Sequence, residues 1–257
     1  MKNKFRIIIL IIVMIFSFYY TNVVKELSDN NNVVISLIDE YSTLNDVKCI
    51  EGYINEEGVI LSYNGKLVDK ENSYSNMKGL GFKEELIEYK NDECILTKEN
   101  NIDKYIISGN KQIKNISIVI DIDNKLYYEY MKDIIESEGY NVNYLVNYNI
   151  DINDKNNILI KTNSNNINKF KKKYNHFYCT NYNEFDILDY CKKEKINSIR
   201  IKNYINSNLL YNIKKILDNG QIIFISENES NYMELYATIK YIKSRGFNIV
   251  SIDELLS

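Results

Sequence analysis

The chain has 257 residues, enough for one large domain or two small ones with a sizeable hydrophobic core. Its formal net charge of -3 at pH 7 argues against general nucleic-acid binding, which favours a strongly basic surface. A single histidine, His176, is present. Because metal hydrolases most often recruit imidazole ligands, the sequence offers at most one ligand of that kind.

The N-terminus has the pattern of a membrane-targeting segment. Basic residues stand at positions 2, 4 and 6, and an almost unbroken apolar run follows from Ile7 to Tyr20. Positive charge before such a run places the N-terminus in the cytoplasm and the remaining chain outside. We therefore predict that residues 1–24 are a signal anchor that enters the membrane through residues 5–24, with an extracytoplasmic remainder. A cleaved signal peptide, which would leave a secreted protein, is the alternative.

A stalk and a small α+β module are predicted over residues 25–110. Residues 24–46 are typical of a polar helical stalk. Asn64-Gly65 is a strong turn signal between two apolar runs, residues 59–63 and 66–68, and it predicts a β-hairpin. The module is completed by a short helix over residues 71–77 and by strands over residues 94–97 and 105–108.

Residues 111–257 alternate regularly between predicted strands and helices, which indicates a parallel α/β domain. The strands are expected at residues 116–120, 142–146, 158–161, 176–179, 198–202, 221–225 and 248–251, and the helices at residues 126–138, 166–174, 184–195, 208–219 and 231–245. Working residues of parallel α/β barrels follow the carboxyl ends of the strands. The candidates at those positions are Asp121, Asp123, Thr162, Asn163, Thr180, Asn181, Asn203, Tyr204 and Ser226 to Glu229.

The four cysteines form no Cys-x-x-Cys pair, so a structural zinc site is not indicated. Their spacing leaves open whether Cys49 pairs with Cys94 and whether Cys179 pairs with Cys191. Isolated buried thiols are the simpler interpretation.

The last stretch, from Gly220 to Ser257, carries a family resemblance. It predicts a buried strand, a polar loop, an amphipathic helix that stops at Gly246, and a second strand before Leu255-Leu256. This layout resembles the end of the polysaccharide deacetylases, the NodB-homology family of carbohydrate esterases. The resemblance implies a distorted (β/α)7-type barrel, here preceded by the small α+β module and the membrane anchor.

The first family motif, Thr-Phe-Asp-Asp-Gly, supplies a general base and then a metal ligand. By this resemblance Asp121 matches the base, whereas Ile122 stands where the family has its metal-binding Asp. Asp123 comes one residue later. Because one residue reverses side-chain direction along a strand, Asp123 reaches the same place only from a loop.

The remaining motifs are degenerate. The sequence has no pair of histidines to match the family's His-Ser/Thr-x-x-His motif. Its single histidine, His176, lies inside a predicted strand, where a structural role is expected. Arg200 matches the Arg of the Arg-x-Pro-Tyr motif, but the Pro is absent and Tyr204 is displaced by one residue. Ser226 replaces the His of the final Leu-His motif. The resemblance therefore implies that Asp-His-His metal coordination cannot form.

These residues predict a membrane-anchored, extracytoplasmic deacetylase-like protein that is catalytically inactive, holds no cofactor, and serves as a cell-envelope glycan-binding or assembly module. Asp121 and Arg200 are the expected remnants of the catalytic site. The expected substrate-binding residues are Asp123, Tyr204, Ser226 and Glu227.

Three alternatives remain open at this point. The first is an active N-deacetylase of polysaccharide or peptidoglycan that holds a divalent metal such as zinc on substitute ligands Asp121, Asp123 and Glu227. The second is a metal-free glycoside hydrolase that pairs Asp121 with Glu227 or Glu229. The third is a purely structural interaction protein with an unrelated α/β fold.

Overall fold

The computed structural model describes residues 2–123, 125–152, 157–161, 167–181 and 187–257, with the backbone alone for residues 2–9. Two compact units are present: Met1–Lys48 with Gly65–Asp92, and Cys49–Asn64 with Glu93–Ser257. The described helices are α1 (Lys2–Asn45), α2 (Lys70–Met77), α3 (Tyr128–Ser137), α4 (Ile167–Lys173), α5 (Leu188–Lys193), α6 (Leu209–Ile216), α7 (Glu229–Ser244) and α8 (Ile252–Leu255), with a 3-10 turn at Glu84–Leu86.

The described strands are short, and most of them follow the predicted positions. They are β1 (Tyr53–Asn55), β2 (Gly58–Ile60), β3 (Gly65–Val68), β4 (Tyr89–Asp92), β5 (Tyr105–Ser108), β6 (Asn115–Asp121), β7 (Asn143–Val146), β8 (Ile158–Ile160), β9 (Tyr178–Thr180), β10 (Ser198–Ile199), β11 (Asn203–Ile205), β12 (Ile222–Ser226) and β13 (Asn248–Ile249). The predicted starts of two helices, at Asn166 and Glu184, lie outside the described residues.

The first unit is built around α1, which joins the apolar run and the stalk in one helix of 44 residues. Among the described residues, α1 alone is long and apolar enough to cross a membrane, a property that anchors and signal sequences share. Near the C-terminal end of α1, Val34 and Ile38 are buried and pack with Val68 and Met77. Val68 belongs to β3, which pairs antiparallel with β4, and Met77 belongs to α2.

The hairpin predicted at Asn64-Gly65 is wrong. Strand β2 pairs in parallel with β5, and β3 pairs with β4 instead. Val59 and Ile60 are both buried, so the apolar surface that β2 hides in the larger sheet outweighs the local turn signal. The strand expected over residues 94–97 is likewise absent from the described structure.

The second unit contains a curled sheet that forms part of a barrel. The strand order is β1-β2-β5-β10-β9-β8-β7-β6-β12-β11, and β13 pairs with the start of β6. Every neighbouring pair is parallel except β1–β2, and parallel neighbours must be joined by crossover connections. The α/β barrel-type fold expected from the sequence is confirmed.

Side chains alternate between the two faces of this sheet. On β6, Ile118 and Ile120 pack against the surrounding helices, whereas Val119 points to the concave interior with Leu159 and Phe224. The interior is filled by apolar side chains, and the C-terminal residues Val250, Ile252, Leu255 and Leu256 close it. The concave face is therefore a packed core, and only its rims are available for polar chemistry.

Two disulfides and two glycines constrain the backbone of the second unit. Both cysteine pairs form disulfides, Cys49–Cys94 and Cys179–Cys191, so the expectation of isolated thiols is wrong. Gly246 ends α7 with φ of 78°, as predicted for a C-cap. Gly220 has φ of 70°, and an added Cβ would lie 2.4 Å from the carbonyl oxygen of Gly109, so only glycine fits there.

Candidate functional site

The candidate site lies at the carboxyl edge of the sheet and begins with Asp121, the last residue of β6. Val119 faces the concave interior, so period-two alternation places the Asp121 side chain on the same face, one layer nearer the rim. Its register partner is Ser226, at the end of β12. Asp121 is fully buried. A buried carboxylate at a strand end needs a counter-charge or hydrogen-bond donors.

Lys161 supplies that charge. It follows β8, two residues beyond the interior-facing Leu159, and its side chain is only 5% exposed. The ammonium contacts Asp121 Oδ1 and lies 2.6 Å from Asp123 Oδ1. One cation therefore holds two carboxylates.

Tyr204 completes the surroundings of Asp121. It lies on β11, opposite the interior-facing Phe224, and its hydroxyl donates a 2.6 Å hydrogen bond to Asp121 Oδ2. The side chain of Ser226 also lies beside the Tyr204 hydroxyl and acts to lower the pKa of Tyr204. Each carboxylate oxygen of Asp121 thus already contacts a donor.

The pKa values of this cluster follow from its burial. Burial raises the pKa of Asp121, and the Lys161 ammonium and Tyr204 hydroxyl oppose this only in part. Burial acts to lower the pKa of Lys161, but Asp121 and Asp123 outweigh it, so its pKa is raised and the ammonium persists at neutral pH. Burial, followed by the hydrogen bond to Asp121, raises the pKa of Tyr204.

Asp123 reaches the cluster because β6 has ended before it. The strand stops at Asp121, and Asp123 lies in a bend from which its half-exposed carboxylate turns to Lys161. Ile122, at the position of the family's metal-binding Asp, is fully buried in the core between sheet and helices. The structure therefore brings Asp123 to Asp121 and directs Ile122 away.

Glu227 is close by, but its carboxylate braces the backbone. Oε2 accepts from the N–H groups of Asp123 and Lys125 at 3.2 and 3.0 Å, and Oε1 accepts from those of Tyr127 and Tyr128 at 2.7 and 3.0 Å. A carboxylate at the start of α3 also interacts favourably with the helix dipole. This geometry supports the loop after β6, and it does not present Glu227 as a partner carboxylate for Asp121.

Arg200 makes no contact with the cluster of Asp121, Lys161 and Tyr204 in the described part of the chain. Its guanidinium lies over the ring of Tyr105, 4.8 Å from the ring centroid, and the backbone N–H of Arg200 donates to the carbonyl of Ile106. Within the described residues, its buried Nε has no hydrogen-bond partner. Arg200 therefore packs on β5, at a different part of the sheet.

Two other strand-end candidates form hydrogen bonds with the backbone of neighbouring segments. Thr180 Oγ1 donates to the carbonyl of Ile160, and Asn181 Oδ1 accepts from the N–H of Ile201 at 2.6 Å. Thr162 and Asn163 lie outside the described residues. His176 was expected inside a strand, but it precedes β9 at the opposite edge, where its more than half-exposed side chain places Nε2 3.2 Å from Asp253 Oδ1.

The donor set of the cluster does not fit a catalytic zinc ion. Asp121, Asp123, Tyr204 and Ser226 offer only oxygen, and an ammonium lies between the two carboxylates. Imidazole is absent from the described part of this edge, because His176 lies at the other one. A second described group with metal-binding atoms, Cys49, Glu51 and Cys94, has both sulfurs in a disulfide.

Sequence reasoning missed Lys161, although a signal was present. Lys161-Thr162-Asn163-Ser164-Asn165 has the spacing of the family's His-Ser/Thr-x-x-His motif, with Lys and Asn in place of the two His. The residues after Lys161 in this run lie outside the described structure. The substitution reverses the chemistry at its first position, from a neutral ligand that binds a cation to a cation itself.

Comparison with known proteins gives the fold. No family model and no curated protein matches the chain. A CE4 family pseudoenzyme from Bacillus anthracis is similar in structure, with a TM-score of 0.60 and 16% identity over 87% of this chain and 95% of that one. A mutant of that pseudoenzyme with restored enzymatic activity has a TM-score of 0.64 at 16% identity, over 87% and 98% of the two chains. The fold is thus that of the CE4 carbohydrate esterases, as the sequence predicted.

Proposed function

We propose that this chain is a membrane-anchored, extracytoplasmic deacetylase-like protein without metal-dependent hydrolysis, which binds a cell-envelope glycan as an assembly or docking module. The observation that carries the proposal is the Lys161 ammonium between Asp121 and Asp123. It stands where a hydrolytic site of this kind needs an electrophile with an open position.

The chemistry explains why this matters. Deacetylation requires an electrophile that polarises the acetyl carbonyl, a base that takes a proton from water, and an acid that protonates the leaving amine. Here the cation is engaged by two carboxylates, and both oxygens of the fully buried Asp121 contact donors. A water molecule reaches Asp121 only if Lys161 or Tyr204 moves. The arrangement supports a structural role for the former base.

Two features support the proposed location. Helix α1 is long and apolar enough to act as an anchor, with positive charge at its start. The second unit contains two disulfides, which persist in oxidising compartments outside the cytoplasm. Anchor and disulfides together favour an extracytoplasmic domain held at the membrane.

The solved structures support the inactive interpretation by precedent. The similar Bacillus anthracis protein is described as a pseudoenzyme, so this fold is compatible with loss of catalysis. Glycan binding is the function that such a fold can retain. Tyr204 is 41% exposed at the rim and offers an aromatic face on which a sugar ring can pack.

The test is a paired assay on the full chain in detergent micelles, using insoluble peptidoglycan and acetylated chitin as probes. We expect sedimentation with one of these glycans, no acetate release above buffer, and loss of sedimentation in Tyr204→Ala. Tyr211→Ala, at an exposed tyrosine on α6, is the matched control and should bind normally. Acetate release that Asp121→Asn abolishes would establish the alternative, an active deacetylase. Absence of binding to both glycans would overturn the binding role.

A further inference from the structure

We propose that Lys161 is the resident cation of this site: its ammonium takes the place of a divalent ion between Asp121 and Asp123 and keeps such ions out. The inference concerns cation binding alone and does not depend on glycan recognition. It assigns Lys161 a positioning role at the carboxyl edge of the sheet.

The position of Lys161 shows that the contact is long-range. β6 and β8 are separated by β7, so their ends are about 10 Å apart, two strand spacings. Asn147, which follows β7 between them, uses its Oδ1 to accept from the N–H of Asn149. The charge for Asp121 therefore comes from the next strand but one, and a long side chain is needed to deliver it.

Burial makes this charge necessary. Asp121 is fully buried and Lys161 is 5% exposed, so little water screens or replaces the pair. Removal of one partner of such a pair leaves an uncompensated charge, which a protein tolerates poorly. A neutral side chain at position 161 would leave two carboxylates facing a space that had held a cation.

The atoms around that space determine which ion would enter. Among the described residues, carboxylate oxygens of Asp121 and Asp123 contact it, and the Tyr204 hydroxyl binds the other oxygen of Asp121. Oxygen-only sets suit hard cations such as Mg²⁺, Ca²⁺ and Mn²⁺. Lys161→Met keeps the length of the side chain and removes the charge, so it should convert this position into a Mn²⁺ site.

The experiment measures Mn²⁺ binding to the full chain in detergent micelles by electron paramagnetic resonance of the free ion. We expect Lys161→Met to bind Mn²⁺ at least about tenfold more tightly than the natural chain, because one positive charge beside the site has gone. Lys161→Arg keeps a positive charge and should stay like the natural chain. Lys240→Ala, which removes an exposed surface cation, is the matched control and should also show no gain.

A second variant keeps the test decisive if Lys161→Met folds poorly. In Lys161→Met/Asp121→Asn both charges are lost together, so this pair should fold better than Lys161→Met and should lose the Mn²⁺ affinity. Equal Mn²⁺ binding by the natural chain and Lys161→Met would overturn the proposal. So would a double variant as poorly folded as Lys161→Met, since Lys161 would then not act as the counter-cation of Asp121.

Discussion

The two edges of the sheet carry similar chemical groups in opposite environments. At the carboxyl edge, Asp121 accepts from Tyr204 and contacts Lys161. At the amino edge, Asp253 of α8 accepts from Tyr178 at 2.5 Å and lies 3.2 Å from His176. Each edge thus combines an aspartate, a tyrosine and a nitrogen-containing basic residue, Lys161 or His176.

The two clusters differ in their exposure to solvent. Asp121 is fully buried, and burial raises its pKa. The Asp253 side chain is 40% exposed, and its hydrogen bond with His176, followed by the one from Tyr178, outweighs its partial burial and lowers its pKa. The buried carboxylate of Asp121 therefore depends on the Lys161 cation, whereas water can solvate the partly exposed carboxylate of Asp253. Equivalent substitutions should therefore have unequal effects at the two edges.

The largest effect is expected for Lys161→Met. It leaves Asp121 buried without its cation, which should lower the free energy of unfolding by about 3–5 kcal/mol. Denaturant unfolding of the full chain in micelles measures this loss, with near-UV circular dichroism of the tyrosines as the signal, because the chain contains no tryptophan. Lys240→Ala, which removes a half-exposed cation while its partner Glu138 keeps the ion pair with Lys243, should cause a much smaller loss. Equal losses in the two variants would show that burial does not distinguish these cations.

A smaller effect is expected for Tyr204→Phe. It removes the hydroxyl that donates to Asp121 Oδ2 and leaves the ring in place, at a cost of about 1.5–3 kcal/mol for a hydrogen bond to a charged group. Tyr211→Phe on α6 is the control and should be close to neutral. An unchanged stability in Tyr204→Phe would mean that water replaces the hydroxyl and that the edge is more open than its burial indicates.

The sequence predicted more of the fold than of the site. Strand and helix periodicity reflects local burial, so most elements appeared near their predicted positions, and Asp121 followed from the end of β6. Lys161 was missed because its partners lie 40 and 38 residues away, across an intervening strand. The motif-like spacing from Lys161 to Asn165 marks the position of Lys161, but it does not show that two carboxylates lie beside it.

Two other differences have the same origin. Substrate binding by Glu227 stays a prediction, but the sequence did not show that its carboxylate accepts from four backbone N–H groups about 100 residues earlier in the chain. One strand was predicted over residues 198–202 with Asn203 and Tyr204 after its end, whereas the structure has β10 and then β11, which pairs with β12. In each case the deciding contact is distant in sequence.

The amino edge gives the smallest effect, with a defined pH dependence. The pKa of Asp253 is below its ordinary value of 3.8, so its stabilisation is present above that pH and is lost as the pH falls through the lowered value. Asp253→Asn should therefore cost about 1 kcal/mol at neutral pH, a figure reduced for solvent exposure, and the difference from the natural chain should shrink below pH 4. Unfolding curves between pH 3 and pH 7 measure it. His176→Ala, which keeps the Tyr178 bond, should lose less than Asp253→Asn. A difference that grew towards acid pH would reverse the sign and show that Asp253, like Asp121, is governed by burial.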